Sequence, residues 1–121
     1  MRVYADPGRQ GRELRVLVDR LWPRGVRKEA LDADDWCKDA APSTELRRWY
    51  GHEPDKFATF ARRYRAELAG EAAATAVAEL RRAALRQGLV LLTATRDIEH
   101  SGATVLREVI LGAQSGRGRR R

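Results

Sequence analysis

The chain has 121 residues, 43% hydrophobic and 34% charged, with a formal net charge of +7. That length allows one domain with a real core and excludes two, and the apolar content excludes wholesale disorder. No stretch reaches the roughly 20 apolar residues of a membrane helix, and the single cysteine, Cys37, excludes an intrachain disulfide and a cysteine-based zinc site.

In chain order, Val3-Tyr4-Ala5 reads as a short strand stopped by Asp6-Pro7-Gly8, and Gly8 to Arg12 reads as a polar loop. The opening MRVYADPGR lacks the apolar core of a signal peptide, which predicts a cytoplasmic location. Next comes the stretch that organises the rest, Val16 to Arg27. Its apolar run Val16-Leu17-Val18 predicts a buried strand, and it breaks into Asp19, Arg20, Trp22, Pro23, Arg24 and Gly25. Charges of both signs, an indole and a rigid turn thus follow a core strand.

Leu31 to Asp39 reads as a short element with Trp36 packed inward. Asp32, Asp34 and Asp35 lack the spacing of a calcium loop and fit a first helical turn. Ser43 fits the N-cap of a brief helix over Thr44–Tyr50, and Gly51 fits its left-handed end. Pro54 suits a first helical turn, and Phe57, Phe60, Ala61, Tyr64 and Leu68 then form one apolar face. A second helix is predicted over Glu71–Gln87, with Gly88 as its stop. The continuous apolar run Leu89–Leu92 reads as a strand covered on both faces. Thr93, Thr95, Arg96, Asp97 and His100 follow it, and a last helix is predicted over Gly102–Leu111.

This order predicts a single α/β domain over residues 1–115: a small, mainly parallel sheet flanked by helices. Residues 116–121 hold four of the 24 basic residues and no acid. They read as a disordered basic tail without which the body carries only +3.

If the strands after Val16 and Leu89 run parallel, their carboxyl ends share one sheet edge, where open α/β sheets bind ligands. Arg20, Arg24 and Arg96 suit phosphate or carboxylate, while Asp19, Asp97 and His100 supply groups for proton transfer. Trp22 either stacks on a ring or anchors its loop, and His52 either reaches the cleft or caps a turn. No metal set and no cofactor motif is present: glycine-rich phosphate loops, GxSxG and HExxH are all missing.

The segments RVLVDRLWPRG, APSTELRRWYGHEP, RYRAEL and LLTATRDIEHSGATVLRE carry a resemblance to the YeaO-like branch of the domain-of-unknown-function family 488 (DUF488). The resemblance implies a small bacterial cytoplasmic protein and no particular activity. It marks Asp19, Arg20, Trp22, Pro23, Arg24, Gly25, Ser43, Gly51, His52, Arg96, Asp97 and His100 as positions of the family pattern, which brings Ser43 and His52 into the ligand-binding set. Longer relatives carry a cysteine-histidine-arginine motif near the late strand. This chain has no cysteine there, and reads His100-Ser101-Gly102 where many members have histidine-asparagine-histidine.

Two readings fit. In the first, a cleft at the strand ends binds a phosphate-bearing ligand, a nucleotide or nucleic acid, with or without hydrolase or transferase activity. In the second, the chain is a non-catalytic nucleic-acid-binding or protein-interaction module with an architectural charge cluster.

Overall fold

A computed structural model describes residues 2–4, 11–25 and 33–115. Four strands form one sheet: β1 (Arg2–Tyr4), β2 (Leu14–Leu17), β3 (Asp35–Trp36) and β4 (Leu89–Leu92). Their order is β1-β4-β2-β3, and each neighbouring pair is parallel. Four helices accompany them among the described residues: α1 (Thr44–Tyr50), α2 (Phe57–Leu68), α3 (Glu71–Arg86) and α4 (Gly102–Ser115). None of these is long and apolar enough to cross a membrane. The domain is α/β, as the element order predicts.

β4 lies between β1 and β2, which explains its composition. All four of its residues are buried, so neither face tolerates a polar side chain. The two faces are covered differently. Val16, Val18, Leu89 and Leu91 join the main core with Phe60, Tyr64, Leu80 and Leu106 from the helices. Leu17, Val90 and Leu92, one residue out of step, point to the other face and meet Trp22, Ala33 and Trp36. The two-residue period of a strand thus divides the apolar runs between a helical layer and a tryptophan-bearing loop layer.

β2 begins two residues earlier than its apolar run predicts, because Leu14 and Arg15 pair with Leu89 and Val90. Arg15 is buried despite its charge, and its backbone exchanges hydrogen bonds with Asp34, whose N–H donates to the Arg15 carbonyl at 2.7 Å and whose Oδ2 accepts from the Arg15 N–H at 2.9 Å. Asp34 thereby ties the approach to β3 onto β2. Within the Leu31–Asp39 segment Asp35 lies in β3 and not in a first helical turn, and a 3-10 turn over Lys38–Ala40 follows.

The helix limits follow from their ends. Ser43 Oγ accepts from the Leu46 N–H at 3.1 Å, and Gly51 closes α1 at φ +56°. α2 is preceded by a 3-10 turn, Pro54–Lys56. α4 runs to Ser115, further than its apolar stripe predicts. Gly88, at φ +93°, turns the chain from α3 into β4 beside Glu13. Asp6, the loop before Gly11, Asp32 and the basic tail 116–121 lie outside the described residues.

Leu91 is fully buried, whereas Leu85 is 74% exposed on α3. Leu91→Ala is expected to cost about 2–5 kcal/mol in urea unfolding, and Leu85→Ser less than about 0.5 kcal/mol. Equal effects would contradict this core.

Candidate functional site

Beyond the carboxyl ends of β2 and β4 lies a cleft of about 700 Å³. Its first wall is the loop after β2, which contributes Asp19, Arg20, Leu21, Trp22, Pro23 and Arg24. Its second is α1 and the turn after it, with Arg47, Arg48, Tyr50 and His52. Ala94 and Thr95 from the loop after β4 and Ser101 to Ala103 at the start of α4 complete it.

Asp19 fixes the floor. Its Oδ1 accepts from the Thr93 hydroxyl at 2.7 Å and its Oδ2 from the Ala94 N–H at 2.8 Å. Its carbonyl accepts from the Trp36 indole at 2.8 Å. One residue therefore joins the loop after β2 to the loop after β4 and to β3. Burial pushes its carboxyl above the ordinary value of 3.8; the Ala94 N–H, the Thr93 hydroxyl and the charges of Arg47 and His52 pull it down without cancelling that rise.

Arg20 turns inward. Its Nε donates to the Pro42 carbonyl and its Nη2 to the Ala41 carbonyl, both at 3.2 Å. Much of its fork is thus spent holding the chain before α1. Trp22 packs edge-on against Trp36 with ring centroids 5.4 Å apart, which makes it a loop anchor as well as a cleft wall. Arg24, by contrast, is exposed at the turn where Gly25 takes φ +75°.

His52 is exposed at the cleft mouth and, directly after left-handed Gly51, itself adopts φ +58°. A side chain with a Cβ rarely takes this conformation. Its ring lies 6.0 Å from that of Tyr50, whose hydroxyl donates to the His100 carbonyl at 2.6 Å. Burial, followed by the charge of Asp97, raises the Tyr50 pKa.

The residues singled out in the sequence divide into three groups. Asp19, Arg20, Trp22, Arg24 and His52 meet at the cleft. Ser43 sits in a second, shallower hollow with Arg20 and Glu67. Its Oγ donates to Glu67 Oε2 at 2.6 Å and its N–H to Oε1 at 2.8 Å while the same Oγ caps α1, so Ser43 locks α1 to α2. Arg96, Asp97 and His100 do not line the cleft. The Thr95 N–H donates to Thr93 Oγ1 and the Ile98 N–H to the Arg96 carbonyl, and these turns carry the chain away after Thr95. There His100 Nδ1 lies 2.8 Å from Asp97 Oδ2, and its ring stands edge-on to Phe57 at 5.2 Å.

Arg47 and Arg48 are the cleft residues that sequence reasoning passes over. Both lie in the last turn of α1, where basic side chains usually complement the helix end. No local signal marks them, because where α1 lies against the strand ends is set by tertiary contacts. Among the described residues, Arg24, Arg47 and Arg48 form no ion pair, and no group of three or more histidine, cysteine, aspartate or glutamate side chains is arranged to hold a metal ion.

The family model described as the inactive DUF488-N3 subclade matches residues 1–119. Uncharacterized protein Rv3073c of Mycobacterium tuberculosis is 47% identical over 111 residues, spanning 92% of this chain and 91% of its own. Uncharacterized protein YeaO of Escherichia coli is 43% identical over 106 residues, spanning 87% and 89%. No solved structure matches the chain.

Two measurements check this geometry. Because the folded-state pKa of Asp19 lies above 3.8, the native protein keeps this proton over a window, from that value upward, in which the unfolded chain has released it. Stability from this group therefore falls as pH rises through the window. Between about pH 3 and pH 6, urea midpoints are expected to move in favour of Asp19→Asn relative to wild type; movement in favour of wild type would contradict a buried carboxyl. Ser43→Ala removes a cap and a partner of Glu67 and is expected to cost about 1–2 kcal/mol, with no loss if the Ser43–Glu67 lock is absent in solution.

Proposed function

Because the chain belongs to the inactive DUF488-N3 subclade, we propose that its cleft binds a small phosphate-bearing ligand without transforming it. The observation that carries this reading is the set of three arginines, Arg24, Arg47 and Arg48, lining one cleft with no ion pair among the described residues. Guanidinium groups are weakly hydrated, planar donors suited to phosphate, and converging cations repel one another until an anion joins them. A volume of about 700 Å³ suits a small molecule.

Binding without turnover is favoured by what the candidate proton carriers are doing. Both carboxylate oxygens of Asp19 already accept hydrogen bonds from Thr93 and Ala94. His100 and Asp97 face each other outside the cleft lining. No described pair of groups is left in the cleft as a nucleophile with its base. The word "inactive" in the subclade's description agrees with this. The rival reading, a nucleic-acid-binding module, would use the basic residues Arg62, Arg63 and Arg65 of α2, and it draws less support, since Arg65 pairs with Glu108 at 2.9 Å and Arg63 stacks on Trp49 at 4.6 Å.

Isothermal titration with nucleotides and other phosphate monoesters tests the proposal. Arg48 is exposed and makes no ion pair among the described residues, so Arg48→Ala is expected to leave the melting temperature within about 2 °C. It is expected to weaken phosphate binding by about 10- to 100-fold, the loss of one charge-assisted contact. Binding that survives Arg24→Ala and Arg48→Ala alike would place the anion elsewhere.

A further inference from the structure

Resting on the cleft as the anion site, we infer that its ligand is an amphipathic anion: one phosphate-like head group on an apolar body, alkyl or aryl, rather than a sugar phosphate. The warrant is an inventory of the polar groups in the cleft wall. Each Asp19 carboxylate oxygen already accepts a hydrogen bond, from Thr93 and from Ala94. The Tyr50 hydroxyl is committed to the His100 carbonyl at 2.6 Å. The Ser101 hydroxyl donates to the Ile98 carbonyl at 2.7 Å and accepts from the Thr104 N–H at 3.3 Å. Arg20 gives two donors to the Pro42 and Ala41 carbonyls.

The polar side chains with capacity left over are chiefly guanidinium groups, those of Arg24, Arg47 and Arg48 and the remaining donors of Arg20, with His52 and Thr95 beside them. Beside them the apolar surface of the cleft is Leu21 with half-buried Trp22 and Pro23, backed by the buried Val18, Phe60 and Ala103. Leu21 is 59% exposed and lies in the cleft lining with these arginines.

A polyol laid along this wall would give up water for side chains that are already engaged, which disfavours it. An alkyl or aryl body loses nothing of the kind and covers Leu21, Trp22 and Pro23. The head group then meets the guanidinium forks at the mouth. Attraction at the mouth and exclusion of hydroxyls along the wall together select the ligand class.

The test is titration calorimetry of the full chain with five probes: 1-naphthyl phosphate, hexyl phosphate, inorganic phosphate, glucose 6-phosphate and 1-naphthol. At least one of the two apolar phosphates is expected to bind ten-fold or more tightly than inorganic phosphate and glucose 6-phosphate, and which one it is identifies the body as aryl or alkyl. Leu21→Ser, at an exposed site, is expected to cut that preference at least three-fold, while Arg48→Ala weakens every phosphate. Equal binding of all four phosphates would overturn the amphipathic ligand and leave the anion site standing. No phosphate binding, or 1-naphthol binding as tightly as its phosphate, would overturn both.

Discussion

The carboxylate of Asp19 is the interaction on which the rest of the site depends. It sits just past β2 and takes hydrogen bonds from the hydroxyl and amide that follow β4, at 2.7 and 2.8 Å. Parallel strands place these two loops side by side, but they do not fix how the loops approach each other. Asp19 does so with its side chain and, through its carbonyl, also holds the indole of Trp36. Because the charge is partly buried, it is stable there only while those donors and the nearby Arg47 and His52 face it.

That arrangement has an electrostatic consequence. The acid nearest the cleft is used up in joining loops, whereas Arg24 and Arg48 have no such task. Arg20 is drawn into the scaffold by the Ala41 and Pro42 carbonyls and Arg47 acts on Asp19, while Arg24 and Arg48 stay exposed in the cleft lining. A network in which acids and bases cancelled pairwise would make an inert loop. Here the acid is matched to backbone and hydroxyl donors, which leaves cationic character facing solvent. On the proposed reading, the apolar surface beside these cations selects the ligand by shape as well as by charge.

Much of the fold was legible in the sequence because its signals are local. Leu89–Leu92 reads as a doubly covered strand, and all four residues are buried. Ser43 and Gly51 bound α1 by their own chemistry, the one as an oxygen cap and the other as a left-handed stop. The start of β2 was not legible, because a buried arginine breaks the apolar pattern and only the partnership with β4 and Asp34 accounts for it. The site was legible in part for the same reason. Residues directly after β2 reach the cleft, as their place at a strand end predicts. The assignment of Arg96, Asp97 and His100 depends on a turn at Thr93–Thr95 that two side chains create, and no periodicity reports such a turn. Arg47 and Arg48 belong to a helix whose relation to the sheet is a tertiary fact: the Ser43–Glu67 lock ties it to α2, and Arg20 ties the chain before it to the loop after β2.

The central claim is that anions bind at the carboxyl edge of the sheet and not on the basic helix faces. Amide chemical shifts followed by NMR during titration with a phosphate monoester test it most directly. The expected perturbations gather at Leu21 to Arg24, Arg47 to His52 and Ala94 to Thr95, the three segments that face one another across the cleft. Perturbations confined to Arg62–Arg65 on α2, or a spectrum unmoved at saturating ligand, would contradict it.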